Sequence, residues 1–169
     1  SFMSCTHNKA EKTKLIGRLR GILLEKQAPS ILLDVAGVGY QLLAPMTTFY
    51  QLPDLGKEVS LYTQLVVRED AFSLYGFMQK QELNLFRALI KISGIGPKIA
   101  LAVISGIDID TFVQYIMEDN ITGLAKVPGI GKKTAQRLIM EMRDKLKNLE
   151  VESGAFTTTF KDENTPIKD

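Results

Sequence analysis

The strongest constraint on this chain is that it repeats itself. Residues 92–104, ISGIGPKIALAVI, align with residues 127–139, VPGIGKKTAQRLI, at an offset of 35. Six of the thirteen positions are identical: Gly94/Gly129, Ile95/Ile130, Gly96/Gly131, Lys98/Lys133, Ala100/Ala135 and Ile104/Ile139. Each copy follows a stretch with helical spacing of its apolar residues and opens another. The predicted repeating unit is therefore helix, Gly-Ile-Gly turn, helix.

The residue types in this unit point to one chemistry. The first turn of a helix carries unpaired backbone N–H groups at the positive end of the dipole, and so attracts anions. Glycines remove Cβ atoms and accept positive φ, which lets a phosphate come close to the backbone. The central isoleucine is suited to anchor the turn in the helices behind it. Pro97 at a first helical position loses no useful donor. Lys98, Lys132 and Lys133 fall in the first turns, where lysine opposes the dipole and a purely structural helix would favour Asp or Glu. A polyanion lying in front of them would explain their placement. This is the helix-hairpin-helix signature of a DNA-backbone clamp. Two copies related by a pseudo-dyad are expected to meet the two strands of a duplex across its minor groove. Phosphate contacts carry no base sequence, so such a clamp recognises its target by shape.

Charge distribution agrees. The 169 residues carry a net charge of only +2, but residues 78–150 hold eleven basic and eight acidic side chains. Positive charge thus gathers around the repeat. The inventory excludes several alternatives. With one cysteine (Cys5) and one histidine (His7), both in a polar leading segment, there is no disulfide framework, Cys-rich zinc site, or Ser–His–Asp or Cys–His centre within the fold. No apolar run reaches the ~18 residues of a membrane span. Gly131-Lys132-Lys133-Thr134 is not a P-loop, because Lys126 stands where the first glycine belongs and Lys133 where the hydroxyl residue belongs. No ATP site and no cofactor are expected. The cytoplasm is the default compartment.

Before the repeat the pattern is β. Residues 16–24 place Arg18 and Arg20 on alternate positions; 31–35, 40–43, 59–67 and 71–77 are further strand candidates, and 46–51 a short helix between strands. Glycines at 21, 37 and 39 suggest bulges or tight bends. Several short strands in ~60 residues suggest a small closed barrel. The period changes to helical near Gly76. Leu85, Phe86, Leu89 and Ile90 form one stripe; Ile109, Phe112, Val113, Ile116 and Met117, behind a capping Asp108 or Asp110, form a second; Ala135, Leu138, Ile139, Met142 and Leu146 form a third, on a helix ending near Leu149. The expected class is α+β: a flexible extension or tag at 1–14, an OB-fold-like barrel at 15–77, a tandem helix-hairpin-helix domain at 78–149, and a linker or tail at 150–169.

Arg68-Glu69-Asp70 falls between two predicted strands. The plain reading is a solvated turn. A carboxylate pair could also bind Mg²⁺ for phosphodiester cleavage, although no third ligand lies at clear spacing. A base-excision glycosylase with a hairpin clamp would need a pocket acid, for which Asp144 is poorly placed. A generic duplex-binding module without junction preference is the third alternative.

Taken in order, Ile16-Gly-Arg-Leu-Arg-Gly21, Asp34-Val-Ala-Gly-Val-Gly-Tyr40, Val67-Arg-Glu-Asp-Ala71, Leu74-Tyr-Gly-Phe77 and both Gly-Ile-Gly turns resemble the RuvA family of bacterial Holliday-junction-binding proteins. The resemblance covers 15–150, or 136 of 169 residues. It implies an OB-like barrel and a non-catalytic subunit acting in DNA recombination and repair. Four copies would form a flat rosette, or eight two such rosettes, with a four-way junction open on the basic face. It also implies an acidic pin at Glu69 and Asp70, and a grip on each arm by Gly94, Gly96, Lys98, Gly129, Gly131, Lys132, Lys133 and Arg137. The implied partners are the ATPase motor RuvB, which hydrolyses ATP and drives branch migration, and the resolvase RuvC. The family's third, motor-docking domain would be missing here, and residues 1–14 have no counterpart in it.

Overall fold

The computed structural model describes residues 15–153, with side chains to Leu146. The expectations for 1–14 and for residues after 153 lie outside the described residues. The elements are β1 (Arg18–Gln27), β2 (Ser30–Val35), β3 (Val38–Leu43), α1 (Met46–Phe49), β4 (Glu58–Val67), β5 (Phe72–Phe77), α2 (Lys80–Ile90), α3 (Pro97–Gly106), α4 (Ile109–Met117), α5 (Ile121–Ala125) and α6 (Lys132–Ser153). The last helix extends past Leu149 into what the sequence suggests is a tail.

The five strands close into a barrel in the order β1-β2-β3-β5-β4. Strand β1 serves two neighbours. Its first half, Arg18 to Ile22, pairs with β4, and its second half, Ile22 to Gln27, pairs with β2. A bulge between Leu23 and Glu25 accompanies the change of partner and bends the strand. The bulge does not sit on a glycine, as the sequence suggests it would. Gly21 does a different job: a Cβ there would run into the Asp34 carbonyl and lie 2.8 Å from Val35 Cγ2. The β1–β2 approach at this corner depends on having no side chain. Gly37 is also not within a strand. With Ala36 (φ 51°), Gly37 (φ 91°) forms the two-residue turn between β2 and β3, the geometry favoured where strands twist right-handedly. The Gly37 N–H donates to Asp34 Oδ1 at 2.7 Å.

Closure is completed by a short parallel contact of β3 with β5, at Leu43 and Tyr75. Leu19 and Leu23 of β1, flanked by exposed Arg18 and Arg20, join Ile31, Leu33, Leu42, Val59, Leu61 and Leu74 in the barrel core.

Helix α2 packs against β4 and β5 on the outside of the barrel, and helices α2 to α6 build a second core that Tyr75 and Phe77 of β5 join. Tyr75 and Phe77 leave the barrel to meet Phe86 of α2, with ring centroids 4.9 and 5.1 Å away. Arg87 Nε donates to Gln64 Oε1 at 2.6 Å, and the Met46 N–H of α1 donates to Ser105 Oγ of α3 at 3.0 Å. The helical unit is thus fixed to the barrel by aromatic packing and by polar links on two sides.

The stripe on α6 is buried throughout, from Ala135 to Leu146. On α4, Phe112 and Ile116 are buried but Met117 faces solvent, and Asp108 occupies the N-cap position without making a side-chain cap bond. The helix that leads into the second turn is not α4 but the five-residue α5, which the sequence reading passed over. Its signal was local. The Asn120 side chain accepts the Gly123 N–H at 2.8 Å, and a Cβ at Gly123 would lie 2.8 Å from the Tyr115 ring. Among the described residues no single helix is long and apolar enough to cross a membrane; α3 and α4 pass that test only together, bent by 103°, and their apolar residues feed the core.

Among the described residues Glu82 is the one buried acid, and it lies at the seam. Thr47 Oγ1 donates to its Oε2 at 3.1 Å. Burial raises its pKa above the ordinary 4.5, and the Thr47 hydroxyl opposes that shift in part. The fold therefore binds this proton more tightly than the unfolded chain does. The associated stability is fully present below about pH 4.5 and is lost as pH rises through the elevated value. Glu82→Gln keeps the Thr47 contact without the charge. Urea unfolding of the variant should show equal or higher stability at neutral pH, and a flatter loss of stability above pH 4.5 than the parent.

Candidate nucleic-acid interface

The two Gly-Ile-Gly turns are built alike, bond for bond. In the first, Ile92 N–H donates to Leu89 O, Ile95 N–H to Ile92 O and Ala100 N–H to Gly96 O, at 3.0, 3.1 and 3.0 Å. In the second, Val127 N–H donates to Leu124 O, Ile130 N–H to Val127 O and Ala135 N–H to Gly131 O, at 3.1, 3.1 and 2.9 Å. Every pair is separated by the 35-residue offset of the sequence repeat. Gly94 and Gly129 have φ of +90° and +91°. Ile95 and Ile130 are each 4% exposed, and so act as the anchors the sequence predicts.

The four glycines divide into two kinds. Gly94 and Gly129 are required by their backbone, since a left-handed φ strains any L side chain. Gly129 also faces Ile99, with Cγ1 3.2 Å from the Cβ it lacks. Gly96 has an ordinary extended backbone (φ −87°, ψ 175°), and a Cβ would meet nothing nearer than Arg68 Nη2 at 3.9 Å. Gly131 likewise has no positive φ, and a Cβ there would find nothing within 4 Å. The fold itself does not demand glycine at 96 and 131. What their bare Cα atoms leave is open space in front of a helix start.

That space faces outward. Lys98, Lys132 and Lys133 are exposed, as are Gly94, Gly129 and Gly131. Gly96, as N-cap of α3, offers no side-chain cap, and Pro97 occupies the first helical position. The N–H groups of the first turn are left to solvent or to an external acceptor.

The hairpins also face one another. Ile99, in the first turn of α3, lies against Gly129 of the second hairpin. Arg137, in the second turn of α6, reaches back to the first hairpin, where its Nη1 donates to Ser93 Oγ at 3.3 Å and to Ser93 O at 3.4 Å. Each hairpin thus touches the turn of the other. Gly94, Gly129 and Arg137 lie where the two turns touch, Gly96 and Lys98 are at the start of α3, and Gly131, Lys132 and Lys133 are at the start of α6. Arg137, read from sequence as a ligand contact, also links the two turns.

Glu69 and Asp70 lie in the exposed loop between β4 and β5. The Arg68 N–H donates to Ala71 O at 2.8 Å and closes that loop one step beyond the Val67–Phe72 pair. The two acids form an exposed charged tip; among the described residues no group of three or more His, Cys, Asp and Glu is placed to hold a metal ion. The sequence reading overlooked Arg68 itself, whose guanidinium ends beside Gly96. Nothing in the local pattern signals that approach, which arises only when the barrel and the helices are assembled.

The family model described as RuvA N terminal domain matches residues 16–76, and that described as SAM-like Helix-hairpin-helix tandem matches residues 86–144. Proteins named Holliday junction branch migration complex subunit RuvA are similar to the chain: 58% identical in Shewanella halifaxensis, 60% in Shewanella denitrificans and 58% in Yersinia enterocolitica. Each alignment spans 135 residues, which is 80% of this chain and 66% of the relative's length.

The two kinds of glycine should respond differently to alanine. Gly129→Ala must hold a left-handed backbone and displace Ile99, at a cost of about 1–3 kcal/mol. Gly131→Ala should leave the unfolding free energy within about 0.5 kcal/mol of the parent. Urea denaturation of both variants makes the comparison.

Proposed function

Since the chain belongs to the RuvA family, we propose that it binds four-way junction DNA through its tandem hairpins, without base specificity, as the non-catalytic subunit of a branch-migration complex. The observation that carries this reading is the reciprocal arrangement of the two turns. Each presents a helix start and lysines to the outside, and each is pinned against the other, so a rigid unit offers two phosphate-binding points at once. A duplex presents such points on its two strands.

Each functional residue follows from this arrangement. The N–H groups at the starts of α3 and α6 donate to phosphate oxygens. Gly96 and Gly131 let those oxygens approach. Lys98, Lys132 and Lys133 neutralise charge and make binding depend on salt. Arg137 holds the two turns in register and adds a cation at their junction. Glu69 and Asp70 act by repulsion. Where four arms meet, a cluster of carboxylates keeps phosphates apart and disfavours a continuous duplex across the centre.

Four copies around a four-fold axis would set one hairpin pair on each arm and gather four acidic tips at the crossover. A RuvB motor would then draw the arms through and hydrolyse ATP, and a RuvC resolvase would act on the same junction. Chemistry on DNA and nucleotide belongs to those partners in this scheme.

Gel shifts at fixed salt compare a four-way junction with a linear duplex of the same sequences. The junction should be bound more tightly, and arms of unrelated sequence equally well. Lys132→Glu with Lys133→Glu should weaken binding to all arms alike and flatten the dependence of log K on log salt by about 0.9 per lost phosphate contact. Glu69→Gln with Asp70→Asn should retain or raise affinity while lowering the preference for junction over duplex. Loss of affinity in that variant would show that the acids do not act as a repulsive pin.

A further inference from the structure

The two hairpins are alike in backbone but unequal in charge. Under the 35-residue offset, Lys132 of the second hairpin corresponds to Pro97 of the first. The second helix therefore opens with two lysines and the first with only Lys98. The structure shows what stands in that gap. Arg68 extends from the β4–β5 loop until its Nη2 lies 3.9 Å from the point where a Gly96 side chain would begin, closer than any other atom outside Gly96 and its chain neighbours. At the equivalent Gly131 the same region holds no atom within 4 Å.

The register of the barrel explains why Arg68 can reach. Val66 packs against the helical core while Leu65 turns into the barrel, so the strand's alternation sends residue 68 to the helical side. Its guanidinium is exposed, and no ion pair joins it to the adjacent Glu69 or Asp70 among the described residues. A cation held at the positive end of α3, beside Lys98 and without its neighbouring acids, gains nothing from the protein alone.

We propose that Arg68 is a phosphate-binding residue of the first hairpin, supplied by the barrel to replace the cation that Pro97 removes. A guanidinium suits this role because its planar fork can hold two oxygens of one phosphate from the side, where a lysine on α3 would have to approach along the helix. The assignment makes the first hairpin a composite of both halves of the chain. It also ties the acidic tip to the clamp, since the residue next to Glu69 is held by the same phosphate that the hairpin grips. The proposal rests on the phosphate-binding reading above.

The test measures affinity and salt dependence on linear duplex and on four-way junction for the parent, Arg68→Gln, Arg68→Lys, and the Lys132→Glu/Lys133→Glu double variant. Arg68→Gln should bind both DNAs several-fold more weakly and lower the salt slope by about one for each protomer bound. Arg68→Lys should keep the slope and recover part of the affinity. Phosphate ethylation that interferes with binding of the parent should cease to interfere at one position per arm in Arg68→Gln. If Arg68→Gln matches the parent in affinity, slope and interference pattern while the double-lysine variant is weakened, the proposal for Arg68 is wrong and the clamp stands. If the double-lysine variant also matches the parent, the clamp itself has failed and Arg68 with it.

Discussion

Everything that faces DNA in this account depends on a backbone turn that only glycine adopts cheaply. At Gly94 and Gly129 the chain enters the left-handed region at φ near +90°. That single rotation ends one helix, buries the next isoleucine, and starts a second helix with its first N–H groups pointing out. The three hydrogen bonds around each turn are the same in both copies. Because each turn packs on the other through Ile99 and Arg137, neither helix start can reorient alone. Rigidity matters for a polyanion: a clamp whose amides are already aimed loses little entropy when phosphates arrive.

The barrel gives that clamp a fixed frame. Phe86 wedges between Tyr75 and Phe77, and burying an aromatic ring of this size contributes roughly 1.5–3 kcal/mol. The polar links from Gln64 to Arg87 and from Thr47 to Glu82 lie at the same seam. As a result the loop carrying Glu69 and Asp70 keeps a set distance from the first hairpin, and Arg68 spans it. In the proposed function, groups that repel and groups that bind phosphate thus sit side by side, which suits a protein that reads shape in place of base contacts.

Much of this could be read in the sequence because the relevant signals are local. The Gly-Ile-Gly spacing, the lysines after it and the α6 stripe are short-range patterns with a direct physical meaning, and the closed barrel followed from the density of short strands. What escaped reading arises from contacts between distant segments or from elements too short to show a period. Gly21 looked like a bulge residue, but its role is close approach to the Asp34 carbonyl, set by a strand that pairs on both sides. The five-residue α5 is too short to show a period, and it forms because Asn120 caps it and Tyr115 covers Gly123. Gly96 and Gly131 look in sequence like backbone requirements, yet neither has a positive φ and a Cβ at either would meet nothing nearer than 3.9 Å. Burial of Glu82 and the reach of Arg68 are likewise products of assembly.

The central claim is that one rigid hairpin pair touches both strands of a duplex through phosphates alone. Hydroxyl-radical footprinting of a four-way junction, with each strand labelled in turn, measures this directly. The account predicts two short protected windows on every arm, one per strand, facing each other across a single minor groove and unchanged when the arm sequences are replaced. Protection confined to one strand of an arm, or windows that move with the base sequence, would contradict it.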